Sequence, residues 1–283
     1  MDPINLLTFD IEEWFLTEDS FQFPPDQWHH FEPRLEQNTH AILEVLERRR
    51  TPALFFLLGW VGEHYPGLVR EIVRAGHEIG YHSYHHHHQN VLPPEGFELD
   101  LKKGLELLEQ VSGKRPKYYR APYFSLGREN LWTVPILLRH GIQMSSSVKK
   151  LTHPAGKSCS RHPFVFEHEA GRLWEFPLGS TGIAGLRFPY SGSGYFRIMP
   201  FRIIRRLARN HSYNLFYFHP RDFDSRPVRS SRLSHLRNFK NTFGTRAALQ
   251  KMEKLLKTLP FLSVAEAMER LKEKEVPVYR LKQ

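Results

Sequence analysis

The sequence predicts an α/β protein, a barrel of βα units forming a single domain over residues 1–283. Three observations predict it. Short apolar runs alternate with segments of helical periodicity, as strands of a parallel sheet alternate with covering helices. No repeat, linker or low-complexity tract divides the chain. Asp10, His82, Arg120 and His219 each follow a predicted strand. In a parallel barrel the loops after the strands gather on one face, where sites are built.

The elements follow in order. Ile4 to Phe9 reads as a first buried strand ending at Asp10, and Asn38 to Arg49 as a helix with Ile42, Leu43, Val45 and Leu46 at helical spacing. Ala53 to Leu58 is a second strand closed by Gly59. Pro66 to Ala75 is a helix stopped by Gly76, and Glu78 to Tyr81 a short third strand. Pro94 to Val111 is a long leucine-rich helix stopped near Gly113. Lys117 to Arg120 is a strand, Trp132 to Arg139 a helix and Ile142 to Val148 a strand. From about residue 150 the periodicity weakens, with strands at Trp174 to Leu178 and Asn214 to Phe218. A helix (Thr245 to Leu256), a strand (Phe261 to Val264) and a last helix (Val264 to Lys274) close the chain. The core motifs thus occupy 4–150 and an elaborated C-terminal half 151–283.

Composition narrows the classes. Hydrophobic residues make up 40% and charged residues 25%, ordinary values for a globular domain of 283 residues. Aromatics reach 13%, most of them expected in the core. The net charge of +10 and pI near 9.7 favour anionic partners, an acidic polysaccharide or a membrane surface. No RNA-binding signature or zinc-finger spacing accompanies the charge, so nucleic acid is not an expected partner. Arg202, Arg205, Arg206 and Arg209 cluster beside Phe201, Ile203, Ile204 and Leu207, either an amphipathic helix on an acidic surface or a helix with a solvated basic face. The one cysteine, Cys159, permits no intramolecular disulfide. No signal peptide is visible and no stretch approaches ~18 uninterrupted apolar residues. A cytoplasmic location is expected, with peripheral contact at the inner membrane face.

The densest chemical signal is Gly80-Tyr81-His82-Ser83-Tyr84-His85-His86-His87-His88, five imidazoles in seven positions from 82 to 88. His82 and His86 are four apart, so a helical turn there would set both rings on one face within reach of one ion. Imidazole suits zinc, cobalt, nickel or iron. His85, His87 and His88 are expected in solvent. A catalytic metal commonly takes two imidazoles and one carboxylate. Asp10 or Glu12 could supply the carboxylate, the other then acting as general base on a metal-bound water. Glu13 reads as a helix-start acid. Arg120 could keep the base ionised and oriented. His219, closing a strand before Pro220, could act as general acid toward a leaving amine. Gly192 and Gly194 permit either close approach of a ligand, with Tyr195 and Phe196 stacking on a sugar, or a positive-φ turn.

Thr8-Phe9-Asp10, His82-Ser83 with His86, Arg120-Ala121-Pro122-Tyr123 and the late His219 together resemble the motif series of polysaccharide deacetylases, the NodB-homology group of carbohydrate esterase family 4. Phe55-Phe56 and Gly76-His77-Glu78-Ile79 resemble that family's second strand and the approach to its third. Gly192-Ser193-Gly194-Tyr195-Phe196-Arg197 and Phe216-Tyr217-Phe218-His219-Pro220 resemble a subgroup tied to exopolysaccharide assembly and exosortase-type loci. The resemblance implies a distorted (β/α)₇ barrel that removes N-acetyl groups from amino sugars of a polysaccharide or its precursor. It implies a divalent metal, zinc first, on His82 and His86, with Asp10 as base, Arg120 supporting it and His219 as acid. Tyr123, Tyr195 and Phe196 would contact the glycan.

Three departures stand out. The usual Asp-Asp pair is Asp10-Ile11, so a family ligand position holds isoleucine and Glu12 is the natural substitute. Met144-Ser145-Ser146 offers no acid to partner the histidine, and Asp222 or Asp224 could stand in. Tyr217 replaces a leucine. Two rival readings remain: a metal-independent hydrolase of a small cyclic amide or ureide, and an inactive polysaccharide-binding barrel.

Overall fold

The computed structural model describes residues 3–16, 22–148, 162–179, 181–183, 186–188 and 190–281. Cys159 lies outside them. Nine strands among these residues join one mixed sheet, and a two-stranded antiparallel ribbon stands apart. The chain divides into two compact units: Met1–Leu54 with Ser180–Val264, and Phe55–Gly179 with Ala265–Gln283.

In the first unit, strand Ile4–Ile11 is buried at all eight positions, as a parallel strand covered on both faces must be. It runs two residues beyond the sequence expectation, so Asp10 lies within the strand rather than after it. Its parallel partner is Tyr213–Phe218, in register from Ile4↔Tyr213 to Phe9↔Phe218. Asn5 and Asn214 pair in that register. Asn214 Nδ2 donates to Asn5 Oδ1 at 2.7 Å and Asn5 Nδ2 to the Pro260 carbonyl at 2.8 Å, so two buried amides are satisfied. Helix Leu35–Arg49 buries Leu35, Asn38, Thr39, Ile42, Val45 and Leu46 on one stripe. Helix Thr245–Leu256 matches its expected bounds, and Glu253 on it pairs with Arg49. The expected strand Phe261–Val264 does not form: Leu262 N donates to Asn5 O at 3.0 Å, and helix Val264–Lys272 then begins. Much of the aromatic excess is core here, with Trp14, Phe15, Phe23, Trp28 and Phe31 packed ring against ring.

In the second unit, strands Glu78–Tyr81, Tyr118–Tyr119, Met144–Ser145 and Gly171–Glu175 are successive parallel neighbours. Two strands went unread in the sequence. Phe164–His168 forms an antiparallel hairpin with Gly171–Glu175, and Val278–Arg280 pairs in parallel beyond it. Helix Pro94–Ser112 buries Phe97, Leu101, Leu105 and Leu108 and ends at Gly113, whose φ of 72° is the left-handed C-cap geometry that glycine adopts without strain. Leu99, counted in the sequence pattern, is 69% exposed.

Candidate active site

The first unit gathers three acids, two arginines and an imidazole at the end of its paired strands. Because Phe9 sits opposite Phe218, the next residues, Asp10 and His219, are neighbours. Strand alternation puts Asp10 and Glu12 on one face and Ile11 on the other. Ile11 is fully buried in the core, while both acids reach His219 Nε2, Glu12 Oε1 at 3.4 Å and Asp10 Oδ2 at 3.9 Å. On the other ring nitrogen, Nδ1 lies 3.1 Å from Asp222 Oδ2 and 2.9 Å from Ser193 Oγ. The Ser193 hydroxyl in turn donates to Asp222 Oδ2 at 2.6 Å, and the His219 backbone N–H donates to the same oxygen at 2.9 Å.

Asp222 is therefore the acid beside His219 that the sequence left open between two candidates. Asp224 faces the other way, toward Arg34 at 3.1 Å. Burial by itself would raise the Asp222 carboxyl. Arg197, 3.2 Å away, then His219 and Arg221, hold it well below the usual carboxylate range. Arg221 pairs with Glu12, and despite burial Glu12 and Asp222 raise its guanidinium above its ordinary value. Glu13 accepts from the backbone N–H of Arg34 and Leu35, capping the next helix rather than one of its own.

Helix Ser193–Ile198 carries the remaining first-unit candidates. Tyr195 is half exposed, but Phe196 is fully buried with its ring 4.8 Å from that of Phe218. The expected stacking of Phe196 on a sugar is corrected: it is a core residue, and only Tyr195 faces solvent. Gly192 is not a positive-φ turn residue. Its φ is −127°, and a Cβ there would stand 1.8 Å from Tyr217 Cε1, so the glycine admits the tyrosine ring. Ser193, Arg197 and Arg221 are site residues that the sequence did not single out. Ser193 and Arg197 lie in the Gly192–Arg197 motif, and only the fold brings them to Asp222.

In the second unit, the histidine run is not helical. Residues 82–88 form a loop with Ser83 and His86 in the left-handed region, φ 65° and 60°. The loop still sets the His82 and His86 rings 5.1 Å apart, both buried. His82 Nδ1 lies 2.7 Å from the Arg120 carbonyl, which can only accept, so Nδ1 carries the proton and Nε2 keeps the lone pair a cation requires. Arg120 is fully buried: Nε donates to the Ser146 carbonyl at 3.1 Å, Nη2 to Ser146 Oγ at 2.9 Å, and the guanidinium lies 4.1 Å over the Phe56 ring. Tyr123, at φ 60°, sets its ring 4.6 Å from His86. His88 is exposed, and His85 and His87 are part-buried. Glu175 accepts from the backbone N–H of Ser147 and Val148 at 2.8 Å each, and burial pushes its carboxyl up to about 7.

Glu12, His82 and His86 are each buried, and a carboxylate oxygen and imidazole nitrogens are donors of the kind that catalytic divalent cations take. Arg221 does not exhaust Glu12, since a carboxylate accepts at about four lone-pair positions.

The first unit thus carries acid–base groups at its strand ends, and the second a pair of buried imidazoles on the loop after a strand. A family model described as "Polysaccharide deacetylase" matches residues 6–144, and one described as "Domain of unknown function" matches 145–269. Among curated proteins, a peptidoglycan-N-acetylglucosamine deacetylase of Bacillus cereus is 35% identical over 30% of this chain and 31% of its own length. A chitin deacetylase of Arthroderma benhamiae is 32% identical over 47% of this chain and 38% of its own. The chain thus spans about a third of the length of these relatives. Among solved structures, a Mycobacterium smegmatis protein assigned as a polysaccharide deacetylase superposes with TM-score 0.68 at 20% identity, covering 100% of this chain and 98% of that one. A family 4 carbohydrate esterase from Streptomyces lividans gives 0.52 at 15%, covering 97% and 98%. The fold is the distorted (β/α)₇ barrel of these neighbours.

Proposed function

We propose that this chain hydrolyses N-acetyl groups on amino sugars of a polysaccharide or its oligosaccharide precursor. The observation that carries the reading is His219, a strand-end imidazole with carboxylates facing both ring nitrogens, in a chain whose residues 6–144 match the deacetylase family. Asp10 takes a proton from the attacking water. The water oxygen bonds to the acetyl carbon, the C–N bond breaks, and His219 Nε2 gives its proton to the departing sugar amine. Asp222 and Ser193 fix the ring through Nδ1. Tyr195 and Tyr123 are the aromatic faces proposed for the sugar. A divalent cation, zinc first among the candidates, would polarise the amide carbonyl and acidify the water when held by Glu12, His82 and His86.

No helix among the described residues is long and apolar enough to cross a membrane. The reading places the protein in the cytoplasm at the inner membrane face, within exopolysaccharide assembly. Elemental analysis of the protein beside His82→Ala and His86→Ala, paired with acetate release from N-acetylated oligosaccharides, tests the activity. About one equivalent of metal, lost in both variants together with acetate release, is the expected result. Acetate release that survives in metal-free protein would favour the metal-independent amide hydrolase, and metal without acetate release the binding barrel.

A further inference from the structure

Between residues 176 and 252 the chain carries 14 lysines and arginines against two acids, Asp222 and Asp224. Both acids are buried and already paired with arginines. The stretch is therefore strongly basic in sequence. Among the described residues, the same stretch also exposes Ile198, Ile203, Leu236, Phe239 and Phe243, each 43–64% exposed. Three short helices, Ser193–Ile198, Phe201–Arg209 and His235–Thr242, and the residue after the last present them.

The first and third of these helices are tied together. Arg197 donates to the carbonyls of Lys240, Asn241 and Phe243 at 2.8–3.1 Å, tying the first helix to the end of the third. Lys251 caps the carbonyls of Phe196, Arg197 and Met199 at 2.8–3.1 Å. Only Met199 and Pro200 separate the first helix from the second. On that second helix Ile204 and Ala208 are buried, while Arg202, Ile203, Arg205, Arg206 and Arg209 face solvent. None of its four arginines forms an ion pair among the described residues.

We infer that this three-helix surface docks on the headgroup region of an anionic bilayer. Uncompensated arginines beside exposed aromatic and aliphatic side chains fit a layer that is acidic at its surface and apolar just beneath. An acidic polysaccharide would match the charge and leave Phe239, Phe243 and Ile198 without an apolar medium. Ser193, at the start of the first helix, bonds His219, so docking would hold the proposed acid one short helix from the lipid surface. The surface stands on its own observations, whatever the reaction proves to be.

Co-sedimentation of the full chain with phosphatidylcholine vesicles, with and without phosphatidylglycerol, tests it. Binding should require the anionic lipid and weaken with salt. Arg202→Gln with Arg206→Gln should lower the partition coefficient about fivefold per arginine. Phe239→Ser with Phe243→Ser should lower it at least about tenfold, with acetate release and melting temperature kept in the Arg pair as a folding control. Equal binding to neutral vesicles, no binding to anionic ones, or no loss in the Arg pair would overturn the inference. So would retention on a sulfated polysaccharide without vesicle binding, or a concentration-dependent dimer that the Phe substitutions abolish.

Discussion

His219 shows how far one residue's role depends on its surroundings. Its ring lies between Glu12 and Asp10 on one nitrogen and Asp222 with Ser193 on the other. Asp222→Asn keeps the shape but removes the carboxylate that holds His219 Nδ1 and pairs with Arg197. The expected outcome is a fall in kcat of about a hundredfold with KM little changed, at the low end of acid–base effects. Stability should fall with it, by about 3 kcal/mol, because buried Arg197 loses its counter-ion. A kcat that falls no more than the folded fraction would leave Asp222 a purely structural acid. His219, Asp10 and Glu12 were legible as candidates because each closes an apolar run. The choice of Asp222 over Asp224 was not. The two are alike in sequence, and only the turn after His219 aims one at the ring and the other at Arg34.

At the scale of elements, helix Ser193–Ile198 and strand Tyr213–Phe218 meet where Gly192 bridges Tyr217. The departure of Tyr217 from the family's leucine has its physical counterpart there, since the ring occupies the space a Cβ at 192 would take. Gly192→Ala should destabilise by about 1–3 kcal/mol as overpacking. In a Tyr217→Leu background most of that cost should vanish, a coupling that a denaturant double-mutant cycle reads directly. Equal costs in both backgrounds would mean the backbone, not the tyrosine, demands glycine. Elements with strong periodicity were read to within a few residues. The hairpin of Phe164–His168 was missed because Pro, His and Glu interrupt a run that pairing alone makes a strand.

At the scale of the whole molecule, two buried groups set opposing pH dependences. Burial lowers His77 to about 4, so the unfolded chain takes up its proton first, and stability is lost as pH falls from about 6.5 toward 4. Glu175 is raised to about 7, so the unfolded chain ionises first, and stability is lost as pH rises from about 4.5 toward 7. Each contributes up to about 3 kcal/mol across its window. They oppose one another, and unfolding free energy should change little on their account between pH 5 and 6.5. Glu175→Gln should leave stability rising with pH there, and His77→Gln should leave it falling. Parallel slopes in the two variants would show that these groups do not govern the profile.

The sequence by itself determined the fold class, the strand-end placement of Arg120 and His219, the pairing of His82 with His86 and the amphipathic helix Phe201–Arg209, because periodicity, charge and short-range spacing are local properties. The tertiary structure decided what requires distant segments to meet or a loop to close. It set His82 and His86 together through two left-handed residues rather than a helix, buried Phe196 and gave Asp222 to His219. It also joined Ser193–Ile198 to His235–Thr242 through Arg197. Each depends on contacts whose free energy exists only when the chain is packed, and no window of sequence contains both partners of such a contact.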